Sequence, residues 1–255
     1  MMPVSILRLK SFTMNCCKIN TTAYNPNKKV AIGERWPFHN QVLNTPELYK
    51  EMVRILFEVE RDTDPGLDVD SYMVVYKDKF ELYKEWEKYN GQPIKRGIFH
   101  VMFEDRNGGN YQMFNEAYQL TKHKYKWYIF TCDDIMVFGD QYYRKILERW
   151  DKGVGYVALQ GGGEILPDEV QNHVQGSIGL TSRKILEEVC NINGGELPHH
   201  KGEWTQEANI AEGEIPFTNK IHGLGYRFVN YNDSQEWKKE NLCFPYFNYI
   251  RGYEN

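Results

Sequence analysis

Two adjacent carboxylates, Asp133 and Asp134, directly follow a compact apolar run, Trp127–Thr131, and Cys132. That run is aromatic and β-branched, which favours a strand buried on both sides. In an open α/β sheet, ligands bind beyond the carboxyl ends of the strands. Two carboxylates there form an anionic pocket, and hard divalent cations prefer oxygen ligands. The pattern therefore predicts a divalent metal site; the alternative is that the two acids only cap a turn.

A strand, a turn and a helix lead into this run and would position it. Ile98–Phe103 is short and β-prone, and the turn residues Asn107–Gly109 end it. Tyr111, Phe114 and Tyr118 then recur at i, i+3 and i+7, which indicates one buried face of a helix. Alternating strands and helices favour a mostly parallel sheet with right-handed crossovers.

This strand, turn, helix, strand and acidic pair resemble the middle of GT-A glycosyltransferases, especially family 2-like members. Those enzymes carry a DxD-type metal motif where the corresponding strand ends. Here the sequence is Thr131-Cys132-Asp133-Asp134, so Thr131 stands where a strict DxD has its first Asp if Asp133 is the second. Either Asp133 or Asp134 is then the principal ligand. The resemblance implies a Rossmann-like GT-A fold, a nucleotide-sugar donor and a Mn²⁺ or Mg²⁺ cofactor.

A second stretch with small residues is similar to the same family. Gln175–Arg183 contains Gly176 and Ser177 and precedes a predicted helix, Lys184–Cys190. In family 2-like enzymes such residues let the backbone approach the donor sugar, and the resemblance implies this role here. The alternative is a strand packed tightly against its neighbour, which also favours Gly and Ser.

The acidic stretch Ala211–Phe217 is similar to the family's "ED" element, which precedes a helix and a "G-Y-R" sequence. Counting back from Gly225 aligns Glu214 with the family's catalytic Asp, while Gly213 stands where the usual Glu would be; Glu212 is the second candidate. A base is required because an acceptor hydroxyl is a poor nucleophile until its proton is removed. Alternatively, Glu214 is an acid at a helix N-terminus, favoured by the helix dipole.

The resemblance also implies donor contacts elsewhere in the chain. Arg35 lies in the loop after a predicted strand, Lys29–Glu34, where the family holds the nucleotide base. Asp78 follows a predicted strand, Ser71–Tyr76, where the family has an Asp near the uridine or ribose. The predicted donor-binding residues are Arg35, Asp78, Asn107, Gly108, Asp133, Gly176 and Ser177.

Histidine offers a third metal ligand. GT-A enzymes often supply one late in the chain, and His222, near a predicted helix end, is better placed than His199 and His200. The alternative is that a histidine at a helix C-terminus is favoured by the dipole alone.

Composition indicates one α/β domain. The 255 residues are 26% charged and 41% hydrophobic, an ordinary globular balance. We predict an N-terminal extension or edge strand over 1–28, a GT-A domain over 29–230 and an aromatic-rich tail over 231–255. Val4–Leu9 is the candidate edge strand. A net charge of −4 disfavours nucleic acid as a partner without excluding a local basic patch.

Cysteine usage and hydropathy predict a cytoplasmic protein. The five cysteines are odd in number, scattered and without zinc-like spacing, which is typical of free thiols in a reducing compartment. We see no signal peptide in Met1–Phe12 and no window approaching a transmembrane helix.

The leading hypothesis from the sequence is a metal-dependent, inverting glycosyltransferase. It would move a sugar from a nucleotide-sugar, UDP-linked by resemblance, to a glycan or another hydroxyl acceptor. One alternative is a GT-A-like nucleotidyltransferase, against which the lack of a basic glycine-rich loop near the first strand counts. The other alternative is a non-catalytic sugar- or nucleotide-binding module. The oligomeric state is not predicted.

Overall fold

The computed structural model describes residues 16–21, 46–77, 80–106, 108–132, 136–137, 139–158, 178–202, 205–230 and 242–243. The strands are β1 (Cys16–Thr21), β2 (Val69–Tyr76), β3 (Gln92–Ile94), β4 (Gly97–Glu104), β5 (Trp127–Cys132), β6 (Met136–Val137), β7 (Val154–Ala158), β8 (Ile178–Ser182), β9 (Arg227–Asn230) and β10 (Leu242–Cys243). The helices are α1 (Pro46–Asp62), α2 (Phe80–Glu87), α3 (Asn110–Thr121), α4 (Tyr142–Leu147), α5 (Arg183–Asn191), α6 (Gln206–Ala208) and α7 (Ile215–Gly223), with a π-helical turn (Asn209–Glu214) between the last two.

Eight strands form one sheet in the order β3-β4-β2-β1-β5-β8-β7-β9, and β10 pairs separately with β6. The pairs β4–β2, β2–β1, β1–β5 and β7–β9 are parallel, whereas β3–β4, β5–β8 and β7–β8 are antiparallel. The predicted class, an α/β protein with a mostly parallel central sheet flanked by helices, is confirmed. Because β8 alone is reversed between β5 and β7, the strands β1, β2, β4, β5, β7 and β9 all end at one edge, called the carboxyl edge below.

Helices cover both faces of the sheet. On one face, Phe57 of α1 stacks on Tyr89 at 4.1 Å between ring centroids and meets the edge of Phe99 of β4. On the other face, Phe114 of α3 stacks on Phe130 of β5 at 4.5 Å. The periodic aromatic face predicted for α3 is therefore the face that packs on the sheet.

The central strand β1 is one that the sequence pattern did not predict. It lies within residues 1–28, for which we predicted an extension or edge strand, yet it pairs with β2 on one side and β5 on the other. The sequence pattern did not indicate a core strand because β1 contains polar residues. The buried Lys18 contacts the Glu60 carboxylate of α1, and Asn20 accepts a 2.9 Å hydrogen bond from the Thr131 hydroxyl of β5. The predicted strands Val4–Leu9 and Lys29–Glu34 lie outside the described residues.

The described part of the chain contains four buried free cysteines and no disulfide among them: Cys16, Cys17, Cys132 and Cys190. In the same residues, no helix has both the length and the apolar character needed to cross a bilayer.

Candidate active site

The carboxyl end of β5 meets the start of α3. Asn110, the first residue of α3, donates its side-chain N–H to the Cys132 Sγ at 3.1 Å. The Thr21 hydroxyl at the end of β1 lies 3.7 Å from the same sulfur. Cys132 is buried and is the last residue of β5. The acidic pair Asp133 and Asp134 follows it directly in the sequence.

The glycine turn before α3 is tightly built. Gly109 occupies the N-cap position with φ of 88°, a left-handed conformation that favours glycine. Gly108 is buried, and its N–H donates to the side-chain oxygen of Gln112. The N–H of Gly108, a predicted donor-binding residue, is therefore already engaged within the protein.

The acidic stretch Ala211–Phe217 begins in the π-helical turn and continues into α7. The helical conformation runs without interruption from Gln206 to Gly223, and the N–H of Ile215 donates to the carbonyl of Ile210, five residues back. Pro216 explains the wider turn, because proline lacks an N–H and its ring clashes with the carbonyl four residues earlier in a regular α-helix. Glu214 therefore lies within a continuous helical segment, at the junction between the π-helical turn and α7.

Gly213 allows the π-helical turn to contact α3. It is buried, and a Cβ added to it would lie 2.9 Å from both Cβ and Cγ of Tyr111. The family's usual Glu would not fit at this position without moving one of the two helices. A glycine at position 213 is thus required by the packing of the π-helical turn against α3.

Glu214 lies near the carboxyl edge of the sheet. Its Oε1 accepts a 3.2 Å hydrogen bond from the side-chain N–H of Asn209. Burial raises the pKa of the Tyr111 and Tyr156 phenols, and the negative charge of nearby Glu214 raises both further. Asn209 in turn accepts from the N–H of Tyr111, next to Asn110, so Glu214 is linked through α3 to the last residue of β5.

Glu212, the second candidate base, has a more exposed position. Its side chain is 54% exposed, and its Oε1 lies 3.0 Å from Nδ1 of His200. That separation is an ion-pair distance, although among the described residues this nitrogen has no partner with hydrogen-bond geometry. The carbonyl of His200 in turn lies against Gly108. Sequence analysis favoured His222 over His200 as a metal ligand, and it did not predict the contact between His200 and Glu212.

His222 lies at the opposite end of α7 from Glu214. It is exposed, in the last turn of the helix, and its ring contacts Phe228 at 4.7 Å between centroids. His222 lies eight positions after Glu214, about 12 Å along the helix axis. The structure therefore does not bring these two residues together, and the position matches the alternative of a dipole-favoured histidine.

The remaining predicted site residues lie outside the described residues: Arg35, Asp78, Asn107, Asp133, Asp134, Gly176 and Ser177. Their roles stay predictions. Within the ranges that the structure describes, no three or more His, Cys, Asp or Glu side chains form a group able to hold a metal ion.

No protein-family model matches the chain, and no curated protein matches its sequence. Among solved structures, it is similar to a Drosophila β1,4-galactosyltransferase 7 in complex with manganese, UDP-Gal and xylobiose. Identity is 10%, coverage is 93% of this chain and 73% of that one, and the TM-score is 0.46. A mannosyltransferase from Pyrobaculum calidifontis in complex with GDP-Man and Mn²⁺ has 13% identity, covers 86% of this chain, and has a TM-score of 0.46; this chain spans 55% of its length.

A further similar structure is the 4-diphosphocytidyl-2C-methyl-D-erythritol synthase of Anaerococcus prevotii. Identity is 11%, coverage is 88% of this chain and 92% of that one, and the TM-score is 0.45. All three TM-scores are below 0.5.

Proposed function

We propose that this chain is a metal-dependent glycosyltransferase of the GT-A type. It transfers a sugar from a nucleotide-sugar donor, UDP-linked by the sequence resemblance, to an acceptor hydroxyl with inversion. The observation that supports this most directly is the position of Glu214. Its carboxylate is joined through Asn209 to the start of α3, and Asn110 of that helix is bonded to Cys132, the residue that immediately precedes Asp133 and Asp134. The candidate base is thus linked to the strand end that precedes the candidate metal motif in the sequence.

Asp133 and Asp134 are the proposed metal ligands. Carboxylate oxygens at a strand end suit Mn²⁺ or Mg²⁺, which take oxygen ligands. When bound, such an ion acts as a Lewis acid and neutralises charge on the departing diphosphate. His222 is left out of this ligand set because it lies at the far end of α7.

Glu214 is the proposed general base. Its carboxylate would take the proton of the acceptor hydroxyl as that oxygen attacks the anomeric carbon. A partly buried carboxylate fixed by a hydrogen bond from Asn209 suits this role better than the exposed Glu212, which faces His200. Attack from the face opposite the leaving diphosphate inverts the configuration.

The donor is proposed to bind along the carboxyl edge. Arg35 and Asp78 would contact the base and ribose, and the turn at Asn107 and Gly108 would lie beside the sugar-diphosphate. Gly176 and Ser177 would allow close approach of the backbone to the sugar. The GT-A domain over 29–230 and the aromatic-rich tail over 231–255 are part of this proposal, and the domain also includes β1 from within 1–28, because that strand lies between β2 and β5.

A donor-hydrolysis panel tests the function. Nucleotide sugars are incubated with the protein, with and without Mn²⁺, and the release of nucleoside diphosphate is measured. We expect release with one donor class only when Mn²⁺ is present. In a transfer assay with that donor, Glu214→Gln should stop turnover while sparing donor binding, and the matched variant Glu212→Gln should retain turnover.

Other results would favour the alternatives. Release of pyrophosphate from a nucleoside triphosphate would identify a nucleotidyltransferase. No turnover of any donor, with binding of a sugar or nucleotide intact, would identify a binding module. Full turnover by Glu214→Gln would contradict the assignment of the base.

A further inference from the structure

Asn209 connects the candidate base to the first turn of α3. Its side chain is buried, with 6% exposure, and both ends of its amide are engaged. The side-chain oxygen accepts from the backbone N–H of Tyr111 at 3.5 Å, and the side-chain nitrogen donates to Oε1 of Glu214 at 3.2 Å. The Tyr111 N–H is one of the helix N-terminal donors that have no partner within their own helix.

We propose that Asn209 is a positioning residue. It fixes the position of the Glu214 carboxylate relative to the N-terminal end of α3. This inference rests on the proposed function, since it gives Asn209 its importance through the base. The start of α3 also carries Asn110, which is bonded to Cys132 at the end of β5. Asn209 therefore fixes the distance between Glu214 and the strand end from which the acidic pair continues.

The contact depends on the π-helical turn. In a regular α-helix, residues three or four apart share a face, whereas residues five apart do not. The Ile215 to Ile210 hydrogen bond spans five residues, and this spacing brings Asn209 and Glu214 to one side of the helix. The wide turn thus aligns the amide with the carboxylate.

Asn209 also has the right chemistry for this role. Only its N–H₂ group can donate to a carboxylate, and only its carbonyl oxygen can accept from Tyr111, so the side chain has one orientation that satisfies both. Burial of the Asn209 side chain limits the access of water to its amide. Glu214 is consequently held by a partner that is itself anchored on another helix.

The isosteric variant Asn209→Asp separates the two bonds. It keeps the acceptor for Tyr111 and removes the donor to Glu214, placing two carboxylates side by side. We expect kcat for sugar transfer to fall about 10- to 100-fold with the donor KM nearly unchanged, because the donor site is intact and only the base is displaced. Unchanged kcat in a correctly folded Asn209→Asp protein would overturn the positioning role.

The reversed pair provides a readout independent of activity. In Asn209→Asp/Glu214→Gln, the donor and the acceptor exchange places, so most of the Tm lost in Asn209→Asp should return. Simple additivity of the two Tm changes would show that the side chains are not coupled and would overturn the proposal.

Asn115→Asp is the matched control. Asn115 is also a buried amide, and its oxygen accepts from the N–H of Leu197 at 2.9 Å, away from Glu214. We expect this variant to lower Tm without lowering kcat, and Glu214→Gln should not restore its Tm. Full turnover by Glu214→Gln alone would contradict the proposed base. Lost turnover in Glu214→Gln with normal kcat in Asn209→Asp would contradict only the role of Asn209.

Discussion

Gly213 lies where the backbone of the π-helical turn meets the Tyr111 side chain of α3. The space that a Cβ would need is already occupied, with Tyr111 Cβ and Cγ at 2.9 Å from it. The residue is therefore a packing element of the candidate site, although it carries no functional group.

Replacing Gly213 with Ala should lower the free energy of unfolding by about 1–3 kcal/mol, since an extra methyl in a filled contact forces the two helices apart. Urea unfolding measures this change. Gly223→Ala is the control in the same helical segment, because a Cβ there meets nothing within 4 Å. That variant should be neutral or gain up to about 1 kcal/mol from helix propensity. Equal effects at both positions would contradict the packing explanation.

At the residue scale, the sequence pointed to the carboxylates but not to their surroundings. Glu212 and Glu214 stood out because their spacing to Gly225 matches a family pattern. Asn209 did not, because its contact with Tyr111 joins residues 98 positions apart. Such contacts are set by the packing of two helices, and no local pattern in the sequence encodes them.

At the scale of elements, the helical segment from Gln206 to Gly223 was predicted only in part. A helix after the acidic stretch was predicted, but its start at Gln206 and its π-helical turn were not. Pro216, visible in the sequence, is the residue that accounts for the turn. Proline usually indicates the start of a helix or a kink, and here it lies within a helical segment that widens to accommodate it.

Pro216→Ala tests the origin of the turn. Restoring an N–H at position 216 allows a regular α-helical hydrogen bond. In a regular helix, the Asn209 and Glu214 side chains would no longer lie on the same side. We expect Tm to stay constant or rise, and kcat for transfer to fall about tenfold. Thermal unfolding and steady-state kinetics measure the two effects. Unchanged kcat with a higher Tm would show that activity does not depend on the alignment of Asn209 with Glu214.

The strands were predicted where their composition is apolar. Ile98–Phe103 and Trp127–Thr131 match β4 and β5 to within one residue at each end. β1 was missed because Lys18 and Asn20 interrupt its apolar pattern. Both residues are buried with partners on other elements, so the pairing that makes them acceptable in a core strand appears only in three dimensions.

At the scale of the whole molecule, Lys18 makes stability depend on pH. Burial lowers its pKa from 10.5 to about 7. Between these two pKa values, the unfolded chain binds a proton that the folded chain has released. Stability should therefore rise with pH from about 7 towards 10, by at most about 1.4 kcal/mol per pH unit for one proton. Urea unfolding at a series of pH values measures this slope.

The double variant Lys18→Met/Glu60→Leu should remove the slope and fold with near-normal stability, since an apolar pair can replace a buried ion pair. Lys18→Met alone should lose about 3 kcal/mol, because it leaves the Glu60 carboxylate without its buried partner. A slope that persists in the double variant would assign the pH dependence to another group.

The sheet as a whole brings the candidate site together. The reversal of β8 keeps β5 and β7 parallel, so the strand before Asp133 and the strand that packs against α7 end at the same edge. The order of strands and helices predicted this edge up to β5. The later strands could not be ordered from the sequence, because their antiparallel pairing depends on which neighbours they meet in space.

Calorimetric titration with UDP, with and without Mn²⁺, tests most directly whether this edge binds a metal-complexed diphosphate. The wild-type protein should bind UDP much more tightly when Mn²⁺ is present. Asp133→Ala and Asp134→Ala should abolish that difference, while Glu214→Gln should keep it. Equal UDP affinity with and without Mn²⁺ in the wild type, or a metal effect that survives in both aspartate variants, would contradict the account.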